Sequence, residues 1–255
     1  MAAIGLLAAS LAHASIPPGE RAVLDNLYTS TNGNGWTVNT GWEGEPGSEC
    51  TWYGIDCDVV DGSEHVVSID LIQNRLSGSL PELTGLTRLR HFYAPINLLT
   101  GTIPPLDSLT DLRTFEVFAN LLDGSLPLLT GLSQLVSFDV SINQLHGGVP
   151  QLTGLDQLVT FDVSDNRLRG AVPALTGLTQ LHFFQIGGNR LTGAVPDPPV
   201  PNNLAPGGSR LCVSLGPDAN ALAPTQSLAW NFATGTTPWY LACDTETIFA
   251  DGADD

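Results

Sequence analysis

The sequence predicts an α/β fold: a right-handed solenoid with a parallel sheet along its concave side and short 3₁₀ turns on the convex side. Three observations carry this. Asn recurs at 74, 97, 120, 143, 166 and 189, a constant interval of 23 residues. Gly follows each Asn four positions later (78, 101, 124, 147, 170, 193) and Pro seven positions later (81, 104, 127, 150, 173, 196). An alternating apolar run precedes each Asn: Val66 to Leu71, Leu89 to Ala94, Leu112 to Val117, Leu135 to Val140, Leu158 to Val163 and Leu181 to Ile186. Self-similarity at this period is the signature of a stacked coil.

Residues 1–14 read as a signal peptide, because the apolar stretch Ile4 to Ala12 runs into Ala12-His13-Ala14, an A-x-A cleavage pattern. No basic residue precedes that stretch, and the alternative is a loose apolar N-terminus on a cytosolic protein. Glu20 to Thr31 then places Val23, Leu24, Leu27 and Tyr28 on one helical face. The four Cys admit three pairings. Two local disulfides, Cys50–Cys57 and Cys212–Cys243, are the economical reading for an exported chain. A zinc site built from all four thiolates is disfavoured, because 155 residues separate Cys57 from Cys212 and a solenoid holds its ends apart.

Each 23-residue unit has a physical reading. The period-two run makes a short strand whose fourth and sixth residues point into the core. One such strand cannot bury its apolar face alone, so successive strands stack about 4.8 Å apart. The recurring Asn lies where the chain bends out of the sheet, with a donor and an acceptor for the backbone groups the bend exposes. Gly gives the bend its freedom and Pro ends the extended segment. The L-T-G-L-x-x-L stretch (for instance Leu83 to Leu89) returns the chain over the convex side, its Leu steps of three suiting 3₁₀ turns.

The pattern L-x-x-L-x-L-x-x-N-x-L-x-G-x-[IVL]-P over residues 66 to 197 resembles the leucine-rich repeat family, in particular its plant type. The units here are 23 residues long where the plant type usually takes 24. The resemblance implies that the Gly and Pro positions belong to a second, smaller sheet beside the concave one. It also implies a cap over residues 15–65, sealed by Trp residues and the Cys50–Cys57 loop, followed by six repeats over 66–203. The stretch L-Y-x-x-T-x-G-x-x-W at Leu27 to Trp36 resembles secreted bacterial and algal members, and the chain has no N-x-[ST] glycosylation site. After Pro196 the rhythm breaks; residues 204–244 read as a C-terminal cap closed by Cys212–Cys243, and 245–255 as an acidic tail.

Composition narrows function. The chain carries 26 Asp and Glu against nine basic residues, all Arg, for a net charge of −17. That sign excludes a phosphate-backbone binder and attachment to an anionic membrane, and no stretch is long and apolar enough for membrane insertion. No phosphate loop, H-E-x-x-H or G-x-S-x-G motif occurs, and the five His are scattered. The expectation is no catalytic residue, no metal and no cofactor. A glycosidase-like carboxylate pair is the competing reading, against solvated surface acids.

The candidate partner surface is the concave sheet, whose outward residues are the third, fifth, seventh and eighth of each run. The fifth-position column reads Asp70, Tyr93, Glu116, Asp139, Asp162 and Gln185. It is either a docking stripe for a basic partner or, since the plant type often has L-D-L-S-x-N, a set of consensus acids with a local hydrogen-bonding task. Departures from the chain's own repeat add an apolar and aromatic patch: His91, Tyr93, Pro95, Ile96, Glu116, Phe118 and Ile142, with Phe183 and Gln185 as a second contact. The expectation is a secreted monomer (or a periplasmic one) that recognises a protein or peptide without catalysis. Two alternatives stand beside it. One is a hydrolase or hydrolase regulator directed at cell-wall glycans. The other is adsorption to ice through Ser77-Gly-Ser79 and Thr100-Gly-Thr102.

Overall fold

The computed structural model describes residues 15–211, 220–223, 228–235 and 237. The alternating runs become strands of one sheet, in the order Ile55–Val60, Ser63–Asp70, His91–Tyr93, Thr114–Glu116, Ser137–Asp139, Thr160–Asp162 and Phe183–Gln185. All neighbours are parallel except the first pair, which is antiparallel. Register is strict: residues 23 apart pair, as Phe92 with Phe115 and Phe115 with Phe138. The Gly positions form the second sheet, in two pieces, Ser77–Ser79 with Leu98–Thr100, and His146–Gly147, Arg167–Gly170, Arg190–Ala194 and Ala221–Ala223. On the convex side the Leu steps close successive i to i+3 turns, with the Leu86 N–H on the Leu83 carbonyl and the Leu89 N–H on that of Leu86.

The core follows from the fourth and sixth positions. Phe92, Phe115, Phe138, Phe161 and Phe184 are fully buried and stack in one column. Their centroids lie 5.4, 5.9, 5.8 and 5.8 Å apart and their planes within 18° of parallel. Trp230 continues the column beyond Phe184 at 6.0 Å, its indole N–H bonded to the Pro196 carbonyl.

The Asn side chains form a ladder. Asn97 accepts the N–H groups of Asn74 and Leu76 on Oδ1 and donates through Nδ2 to the carbonyls of Leu71, Ala94 and Pro95. Asn120, Asn143, Asn166 and Asn189 repeat the three carbonyl contacts and each accept one N–H on Oδ1. At the start, Asn74 exchanges hydrogen bonds with the backbone of Val38, which stands in for a preceding rung. Asn220 continues the ladder although the 23-residue interval does not reach it: it takes the Leu191 N–H and donates to Ile186 and Leu211.

The N-terminal helix Pro18–Ser30 buries Val23, Leu24, Leu27 and Tyr28, the face its spacing predicts. Tyr28 packs with Trp36 and Trp42, and Trp42 with Trp52. The Cys50–Cys57 disulfide is formed, with Cα atoms 5.5 Å apart. Two buried acids lock the helix in place: Glu20 accepts the Val66 N–H and contacts His65 Nδ1, and Glu49 pairs with Arg21. Residues 1–14, Cys212, Cys243 and 245–255 lie outside the described residues, as do the signal peptide, the second disulfide and the tail expected from them.

Candidate binding surface

The fifth positions of adjacent strands stand side by side: Asp70, Tyr93, Glu116, Asp139 and Asp162 pair in sequence, then Gln185. Their surroundings differ. Tyr93 stacks parallel to His91 at 6.0 Å, and His91 Nδ1 lies 3.2 Å from Thr114 Oγ1. Burial, then the guanidinium groups of Arg113 and Arg90, hold His91 below the usual imidazole range, so its ring is uncharged at neutral pH. Glu116 accepts the Ser137 hydroxyl. Asp139 and Asp162 each accept both the N–H and the hydroxyl of the Ser two residues on, Ser141 and Ser164. Asp70 accepts the Ile72 N–H in the same way. A local task for these acids is therefore real. Among the described residues none of Glu116, Asp139 and Asp162 has an ion-pair partner within 4.0 Å.

Two residues expected on the open face are buried. Pro95 is buried in the row between Ile72 and Phe118, just past the end of its strand, where the chain bends out of the sheet. Asp162 is only 8% exposed, flanked in register by Asp139 and Gln185 and folded onto Ser164. Burial raises its pKa to about 6, the Ser164 hydroxyl opposes this, and Asp139 and Asp165 add to it. Burial raises Asp139 and Asp165 as well.

The sign of the resulting pH dependence follows. A carboxyl near 6 in the fold and near about 3.9 unfolded binds its proton more tightly when folded, so it destabilises the fold above pH 6 and ceases to do so below about 4. The effect is at most about 3 kcal/mol. His91, with its pKa lowered, acts oppositely once pH falls below about 6.5. A difference measurement isolates Asp162. Asp162→Asn should be more stable than the parent in urea at pH 7.5 by about 2–3 kcal/mol, with the gap closing by pH 4. A gap that stays constant with pH would sink this assignment.

The remaining sites divide. His91, Tyr93, Glu116, Asp139 and half-buried Phe118 share one patch of floor. Phe183 and Gln185 sit two strands beyond Asp139, separated from it by the strand Thr160–Asp162. Ile96 and Ile142 stand on the rim, 47% and 55% exposed, with Ala119 between them. Sequence reasoning missed what is unusual there. The eighth position has positive φ in every rung: Gln73 (49°), Ile96 (56°), Ala119 (53°), Ile142 (52°), Asp165 (52°) and Gly188 (64°). Leu98 and Leu121 are also exposed beside this rim, at 53% and 44%.

With register, ladder and second sheet in place, the architecture can be named. The chain has the leucine-rich-repeat fold. No family model and no curated protein matches the sequence. Solved structures do. The ectodomain of the receptor kinase SOBIR1 from Arabidopsis thaliana superimposes with TM-score 0.59 at 22% identity, covering 70% of this chain and 97% of that one. A plant ice-binding protein gives 0.57 at 23%, covering 71% and 59%. The BIR3–SERK2 complex from Arabidopsis thaliana gives 0.51 at 24%, covering 67% and 92%. A TDR receptor is 34% identical over 48% of this chain, with TM-score 0.46, and this chain spans only 22% of its length. Among the described residues no helix is long and apolar enough to cross a membrane.

Proposed function

We propose that the protein is a secreted, non-enzymatic recognition module that binds a protein or peptide on the concave face of its leucine-rich repeats. The observation that carries this is the floor of rungs two to four. An uncharged His91–Tyr93 stack and half-buried Phe118 lie beside carboxylates that have no ion-pair partner among the described residues. Aromatic groups that are partly covered, next to charges left for another molecule, are the composition of a contact surface. One solved example of the same fold is itself an assembly of two proteins, BIR3 and SERK2.

Substituting Tyr93→Ala and Phe118→Ala together should abolish capture of the partner from culture or host extracts, at about 2 kcal/mol or more for each anchor, without lowering the thermal midpoint by more than a few degrees. Capture that persists removes the site. Turnover of a polysaccharide by the purified protein, lost with a single carboxylate substitution, would favour the glycan-directed alternative instead. The second sheet gives ice adsorption little support, since Ser79 pairs with Thr100 but later rungs carry Asp123, His146 and Arg169.

A further inference from the structure

The rim of the sheet carries two isoleucines in a backbone conformation that suits them badly. The Ile96 N–H donates to the Phe118 carbonyl and the Ile142 N–H to that of Ser164, while the Ile142 carbonyl accepts the Asn120 N–H. The backbone at both residues lies in the left-handed region, which Gly, Asn and Asp tolerate and β-branched residues resist. Asp165 and Gly188 fill the same position further along, so the coil closes without Ile. Ile96 and Ile142 are moreover about half exposed, so burial within the chain does not compensate the strain. Exposed, strained, β-branched residues repeated two rungs apart point to something outside the chain.

The shape and charge around them define it. Strands about 4.8 Å apart put the two isoleucines roughly 10 Å from each other, and Ala119 between them leaves a notch the width of one apolar side chain. A shallow cavity of about 620 Å³ continues outward from Ile96 and Ala119 past Leu98 to Gln73 and Arg75. Inward on the same rungs lie Glu116 and Asp139, without an ion-pair partner among the described residues. A second copy of the chain fits this surface poorly, because each copy carries a net charge of −17.

We propose that this rim and the adjacent floor hold an extended basic peptide segment, with an apolar side chain seated between Ile96 and Ile142 and a Lys or Arg on Glu116 and Asp139. The proposal rests on the concave-face reading above and supplies the chemistry of its ligand.

The test pans a random twelve-residue peptide display library on the full chain at pH 7.5. The enriched peptides should carry Lys or Arg within a few residues of Leu, Ile or Phe. A synthetic copy of the most enriched one should bind at least tenfold more weakly to Ile142→Asn, and likewise to Glu116→Gln combined with Asp139→Asn. Ile142→Asn should at the same time raise the unfolding midpoint by about 2–4 °C, since Asn accepts the left-handed backbone. A residue with a merely structural role would lower it.

Acidic enriched peptides, or binding indifferent to Ile142→Asn, overturn the rim site. If that binding still falls with Tyr93→Ala and Phe118→Ala, the concave-face reading survives. Indifference to every one of these variants, or no enrichment at all, overturns both. Self-association that Ile142→Asn abolishes would assign the rim to a second copy and overturn the peptide.

Discussion

Asn97→Ala is expected to remove about 4 kcal/mol of stability, and with it on the order of 10 °C of thermal midpoint. The side chain meets five backbone groups at once, two N–H and three carbonyls, all at a buried site. Truncation leaves the Asn74 and Leu76 N–H groups with no acceptor, at about 1–3 kcal/mol each. Asn97→Asp should do no better than Ala. It keeps the acceptor but faces three carbonyls with a carboxylate, which costs more than the amide bonds it retains. Urea unfolding of both variants measures this. A loss under about 1 kcal/mol for Asn97→Ala would show that water or neighbouring groups replace the ladder bonds.

Phe138→Ala should be of similar size, about 3–5 kcal/mol, because the ring is fully buried between Phe115 and Phe161 and its removal opens a cavity that rigid neighbouring rungs cannot close. Phe138→Leu should lose less than about 1.5 kcal/mol, since it restores most of the volume. In a coil where each rung touches only its neighbours, the Phe138 cavity weakens two interfaces together. Hydrogen exchange should therefore accelerate first in the strands Thr114–Glu116 and Thr160–Asp162 that flank it. Uniform acceleration from end to end would mean that the solenoid opens as a single unit.

Both sites are legible in the sequence, for different reasons. The Asn interval is a property of the sequence itself, and the inward Phe residues follow from the two-residue period of a strand. The sheet order and the cap helix face came from the same kind of regularity, and the second sheet from the resemblance to plant-type leucine-rich repeats. What the sequence did not disclose was local backbone geometry. Nothing in a string of letters says that Ile96 and Ile142 sit at positive φ, because the residues at that position across the six rungs, Gln, Ile, Ala, Ile, Asp and Gly, share no chemistry. The burial of Pro95 and Asp162 escaped for a related reason. Alternation assigns a side chain to a face, but how far neighbours on adjacent strands cover it depends on their size and on turns such as that of Ser164 onto Asp162. Asn220 was missed because a periodicity search ends when the spacing changes.

That last residue has an engineering consequence. In earlier rungs the Asn stands three positions after the inward sixth residue, as from Ala94 to Asn97, whereas Leu211 and Asn220 stand nine apart, yet the amide of Asn220 still finds the Leu211 carbonyl. The ladder contact at this joint thus survives a longer separation along the sequence. Foreign segments of half a dozen residues should be graftable at this corner of other turns, displayed beside the concave face, without unscrewing the turns on either side.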